Sequence, residues 1–170
     1  YAPNNCTLVI VGDVEPQSLI ELARKHFESI PAQAPPDPVR TKEPPQQGER
    51  RVAITAEAQT PLVQFAYHGI AGDDARQPAL DLLARILTDG DASRLHRVLV
   101  EERKLAISAD SYTESGFDPG LVWFFLSLPA DGDVQQAEAV FTQEIERLIE
   151  EGVTAEEVAR ARNQALADFW

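Results

Sequence analysis

The sequence predicts an α+β domain, a largely antiparallel sheet with helices packed on one face. Two observations carry this. From residue 51 onward the elements run β-β-α-α-β-β-α-α, and the helices come in pairs after pairs of strands, an order that leaves one face of a sheet for the helices to cover. The last two helical stretches each carry a single apolar stripe, the mark of helices lying on a shared layer.

The elements follow in order. Ala2-Pro3-Asn4-Asn5 is turn chemistry, and residues 6–11 (Cys-Thr-Leu-Val-Ile-Val) form a short β-branched run that reads as a buried strand. Gly12-Asp13 breaks it. Glu15-Pro16 starts a helix with proline at the first helical position, and Leu19, Leu22, Ala23, His26 and Phe27 share one face up to Ile30-Pro31. Residues 31–49 hold six prolines without apolar periodicity and read as a stiff linker. Arg51–Ala56 and Leu62–Ile70 alternate as strands, the second with Val63, Phe65 and Tyr67 opposite Gln64, Ala66 and His68. A heavily buried helix spans Arg76 to Leu87, with Asp81 and Arg85 spaced to pair. Ser93 is placed to cap a short helix that turns Leu95, Val98 and Leu99 inward. Ala106–Ser115 and Leu121–Pro129 form a hairpin around Gly116-Phe117-Asp118-Pro119-Gly120, its second strand apolar throughout and central. Asp133 caps the next helix, whose inner face is Val134, Ala137, Phe141, Ile145 and Leu148, and Gly152 ends it. Thr154-Ala155-Glu156-Glu157 is a capping box for the last helix, with Val158, Ala161, Ala165 and Phe169 inward.

Composition narrows the function classes. The 170 residues suit one domain with an appendage, which buries enough surface to fold without a metal or disulfide. The single cysteine, Cys6, excludes an internal disulfide and reads as a small buried thiol. A formal charge of −13 repels a phosphate backbone, so nucleic acid is not an expected partner. No apolar run approaches the about 20 residues of a membrane span. Most acids, such as Glu144-Ile145-Glu146, read as solvated helix faces. They become an electronegative wall for basic peptides only if they gather on one concave surface. The start without methionine and the end at Trp170 inside a helical pattern read as an excised piece.

The chemistry is sparse. His26, His68 and His96 belong to neither H-E-x-x-H nor H-x-x-E-H, and no helix carries two of them four apart, so neither a metal site nor a catalytic residue is expected in this chain. Asp89-Gly90-Asp91-Ala92-Ser93 begins like a calcium loop, but Arg94 and Val100 stand where glycine and glutamate are required. No dinucleotide, P-loop or nucleophile-elbow motif occurs.

Three spaced blocks nevertheless resemble the insulinase/pitrilysin-type zinc metallopeptidases, the inverzincins, which share the mitochondrial-processing-peptidase fold. The first is the Cys6–Val14 strand with its helix. The second is Asp91-Ala92-Ser93-Arg94-Leu95 through Leu105-Ala106-Ile107-Ser108, similar to the family's "S-S-R-L … L-R-E … G-L-A-Y-S". The third is Glu151-Gly152-Val153-Thr154 through Ala161-Arg162-Asn163-Gln164. The resemblance implies that residues 1–30 are a strand-helix unit from the end of a preceding lobe, residues 31–49 a Pro-rich linker, and residues 50–170 a non-catalytic lobe truncated at its C-terminus. It also implies that Cys6–Val11 is shaped to add to a lobe-two strand, either in its own chain or swapped into a neighbour. The family's substrate-binding arginine and tyrosine fall on Val100 and Ile107, both diverged, and its glycine on Lys104. The fragment alone is then not an enzyme. The parent is implied to be a zinc-dependent metalloendopeptidase, its zinc held by an upstream H-x-x-E-H. Implied partners are the zinc-bearing lobe of the same chain, a paired homologous subunit and peptide substrates. The alternative is a non-enzymatic scaffold subunit of the same fold. Family analogy points to the periplasm or cell envelope, with the cytoplasm open.

Overall fold

A computed structural model describes residues 3–34, 37 and 41–169, so Tyr1, Ala2, the linker residues Pro35, Pro36, Pro38, Val39 and Arg40, and Trp170 lie outside the described residues. The chain divides into two compact units, residues 1–53 and 54–170.

In the first unit a 3-10 turn, Pro3–Asn5, leads into an extended segment and then helix α1, Pro16–Phe27. Pro16 sits where a missing N–H is harmless, and the Glu15 side chain accepts from the Gln17 N–H. The Asn4 carboxamide donates to the Gln33 carbonyl at 3.0 Å and accepts from the Gln33 N–H at 3.1 Å, tying the two ends of the unit together. Two expectations fail here. Residues 6–11 form no strand, and Cys6 is exposed, not buried. Strand propensity expresses itself through a ladder and a face to pack on. Val9 and Val11 have neither and stand 76% and 93% exposed.

The second unit holds strand β1 (Leu62–His68), helix α2 (Gln77–Thr88), a π-helix (His96–Glu102), strands β2 (Ser108–Ser115) and β3 (Pro119–Ser127), and helices α3 (Val134–Glu151) and α4 (Ala155–Phe169). The described sheet has the order β1-β3-β2, antiparallel throughout, with Phe65 opposite Phe124 and Tyr112 opposite Trp123. The α+β class with helices on one face is thus as expected, and β3 is central. Arg51–Ala56 is not a strand; Val52 and Ile54 stand exposed without a ladder.

The core lies between the helices and one face of the sheet. Val63, Val122, Phe124 and Leu126 project from the strands toward Leu87 of α2, Leu95 just before the π-helix and Leu99 within it, and Ala137, Val140 and Phe141 of α3. The Phe141 ring stacks on Phe65 at 3.8 Å between centroids and meets Phe124 edge-on at 5.4 Å. Trp123 and Phe125 alternate onto the opposite face, where their rings stack at 6.2 Å. Glu114 folds across the hairpin. It accepts from the Trp123 indole N–H and from the Leu121 N–H, both at 3.0 Å. A Cβ at Gly120 would lie 2.5 Å from the Glu114 Cβ, so the close approach requires glycine there.

The predicted caps of α3 and α4 form. Asp133 accepts from the Gln136 N–H at 3.0 Å, and Gly152 ends α3 with φ +73°. Ser93 does not cap. It is fully buried, and the chain turns helical directly after it, without a side-chain cap. Glu144, expected in solvent, is buried on the inner side of α3.

Candidate functional site

The segment 91–108 is organised around a π-helix. The Arg103 N–H reaches the Val98 carbonyl at 3.0 Å, and the Leu105 N–H closes on the Leu99 carbonyl at 2.8 Å. The wider ring keeps Leu95, Val98 and Leu99 on the core side. The reversal after it places Lys104 at φ +53°, the left-handed region that favours glycine.

Arg94 opens this segment and reaches the α3–α4 turn. Its Nε donates to Glu157 Oε1 at 2.6 Å, and its Nη2 donates to Glu157 Oε2 at 2.9 Å and to the Gly152 carbonyl at 2.8 Å. The same carboxylate completes the capping box, accepting from the Thr154 N–H at 2.8 Å and hydroxyl at 3.0 Å. The pair is nearly buried, with side chains 10% and 15% exposed. The Arg94 guanidinium, aided by the Thr154 donors, holds the Glu157 carboxyl at about 2. The capping box is legible in the sequence, but the partner of Arg94 is not, because Glu157 lies 63 positions away.

A groove of about 700 Å³ runs beside β2, between that strand, α2 and the end of α4. β2 pairs only with β3 in the described sheet, so its outer edge presents unpaired backbone groups to the groove. Three links shape the walls. Thr88 and Ser111 hydroxyls meet at 2.6 Å, and the Thr113 hydroxyl donates to Asp81 at 2.6 Å. The Arg85 guanidinium donates to Asp168 at 2.6 Å and to Asp89 at 2.7 Å. Hydrogen bonding to Asp168, with Asp89 beside it, holds the guanidinium pKa above its ordinary value. The expected Asp81–Arg85 pair therefore does not form: Asp81 is drawn to Gln77 and Thr113, and Arg85 to the two other carboxylates.

Of the two family positions, Val100 is half-buried and packs against the core, and Ile107 is 58% exposed. The Ile107 backbone donates to the Ser127 carbonyl at 2.7 Å at the start of β2. His96 has its Nε2 at 3.7 Å from Asp91 and 3.6 Å from Glu101, while His26 and His68 are exposed. Among the described residues no group of three or more His, Cys, Asp or Glu is placed to hold a metal ion, and no helix is long and apolar enough to cross a membrane.

Comparison with known proteins agrees with this architecture. Residues 1–165 match the family model described as the peptidase M16 inactive domain. The chain is 30% identical to the zinc protease PqqE of Helicobacter pylori, over 99% of its own length and 39% of that protein. It superposes on the crystal structure of a protease from Helicobacter pylori with a TM-score of 0.79 at 28% identity, covering 94% of this chain and 39% of that one. It is also similar to an inactive peptidase domain from a zinc-protease relative in Bordetella parapertussis, with a TM-score of 0.60 and 34% identity, covering 69% of this chain and 63% of that one. The chain thus spans about two fifths of the curated zinc protease it matches. It is a member of the peptidase M16 family, and what it contains is that family's inactive domain.

Proposed function

We propose that this chain acts as the non-catalytic lobe of a zinc-dependent metalloendopeptidase, closing the chamber against a zinc-bearing lobe and helping to hold unfolded peptides for cleavage. The observation that carries the reading is the groove beside β2. An extended peptide laid along the free edge gains backbone hydrogen bonds, while its alternate side chains enter the space under α2 and α4. Its volume falls within the usual range of ligand clefts. The zinc would be held upstream, by H-x-x-E-H in the zinc-bearing lobe, and would supply the hydrolytic chemistry.

A second reading, a scaffold subunit of the same fold, is favoured by one feature: Val100 packs against the core where the family pattern has an arginine. Peptide binding separates the two. Titrating a fluorescent extended peptide into the chain should give saturable binding for a substrate-holding lobe. Binding should fall when alternate peptide nitrogens are methylated, because these can no longer donate to the strand edge. Absence of any binding favours the scaffold.

A further inference from the structure

We infer that Glu102 sets the helical register of residues 95–103, and through it the direction in which residue 100 points. A turn of α-helix takes about 3.6 residues, so residues five apart face sides about 140° apart, while residues seven apart share a face. Closing on the fifth residue, as the Arg103 N–H does on the Val98 carbonyl at 3.0 Å, brings i and i+5 together instead. Three successive pairs fit that spacing. Leu95 and Val100 both meet the core, His96 lies 3.6 Å from Glu101, and Arg97 lies 3.5 Å from Glu102.

The same residues carry a competing α pattern. Leu95, Val98 and Leu99 are the i, i+3 and i+4 positions of an apolar stripe, and its i+7 position is Glu102. Wound as α throughout, the segment would carry that carboxylate onto the line of Leu95 and Val98, which are 0% and 6% exposed, and away from Arg97. Burying a carboxylate away from its cation is costly. The same winding would turn residue 100 from the core to solvent, because it stands five places after Leu95. The π turn does the reverse. It leaves Glu102 exposed beside Arg97 and sets Val100 against the core. The two ion pairs are exposed and no shorter than 3.5 Å, so they mark the register more than they enforce it. What enforces it is the burial that Glu102 avoids. Arg97 illustrates the choice: Glu101 stands at the α spacing of i+4, and the guanidinium meets Glu102.

The test compares the whole chain with its Glu102→Leu variant, which completes the α stripe. NMR couplings across hydrogen bonds read the register directly. The Arg103 N–H should couple to the Val98 carbonyl in the unsubstituted chain and to the Leu99 carbonyl in the variant. The direction of residue 100 is read separately, by Val100→Cys in a Cys6→Ser background, because Cys6 is exposed and would itself react. The introduced thiol should be labelled several-fold faster once Glu102→Leu is added. Glu102→Asp, which keeps the charge, should leave both readouts unchanged. Glu102→Ala removes the charge without adding bulk. It should move the bond in the same direction, and it replaces the leucine variant if that one does not fold. An Arg103 N–H that stays on Val98 in the folded leucine or alanine variant overturns the inference. So does a bond that moves to Leu99 while the introduced thiol keeps its rate, since residue 100 would then not follow the register.

Discussion

Glu157→Gln removes a charge from the pair that ties the 91–108 segment to the α3–α4 turn, and keeps an oxygen that can still accept from Thr154. Two charge-assisted bonds, at 2.6 and 2.9 Å, weaken at once. Arg94 stays nearly buried with only the Gly152 carbonyl as a strong acceptor. Stripping one partner from a buried pair costs about 3–5 kcal/mol, and the remaining carbonyl bond favours the lower end, about 3 kcal/mol. The carboxyl's fall from 4.5 to about 2 gives a similar figure, about 3 kcal/mol at 1.36 kcal/mol per unit. The sign follows from a depressed acid. The stabilisation is complete above the ordinary pKa of 4.5 and is lost as pH falls through about 2. Urea unfolding at neutral pH should therefore show the loss, and Glu157→Gln should flatten this part of the acid dependence. A double-mutant cycle with Arg94→Leu should give a coupling of about 2 kcal/mol or more. Coupling below about 0.5 kcal/mol, the range of surface pairs, would refute the buried-latch reasoning.

Lys104→Gly relieves a left-handed residue worth about 1–2 kcal/mol. After the added freedom of glycine in the unfolded chain, the midpoint of denaturation should still rise by about 0.5–1 kcal/mol; a fall would show that the φ of +53° carries no strain. Gly120→Ala should destabilise by about 1–3 kcal/mol, because the new methyl meets the Glu114 Cβ, and a neutral effect in thermal melts would contradict that contact. Val100→Arg with Ile107→Tyr, made in a full-length protease containing this lobe, should alter kcat or KM toward peptides; unchanged kinetics with an intact fold would argue that these positions do not face the chamber.

The fold was legible where sequence carries its own local partner. Asp133 and Thr154 cap helices within three residues, and the period-two alternation of 62–68 is written in the strand itself, with Val63 and Phe65 on the core side. Reading failed where an element depends on something distant. Residues 6–11 and 51–56 have strand composition, but no described strand pairs with them. Arg85 was expected to bond Asp81, four residues before it, yet Asp168 from α4 competes for it. Glu144 reads as a solvent residue until α3 packs, when its side turns inward. Of the candidate site, the two diverged family positions were visible as residues, while the groove was not, because it is made by the edge of one strand and the ends of two helices far apart in the chain.

The proposed role gives this lobe binding and not chemistry. The direct measurement is metal content together with hydrolysis of a fluorogenic peptide, on the purified chain and on a longer protein that adds a zinc-bearing lobe. Neither stoichiometric zinc nor cleavage is expected from the chain alone, and both are expected from the longer protein. Zinc at one per chain with peptide hydrolysis by the 170-residue chain itself would contradict it.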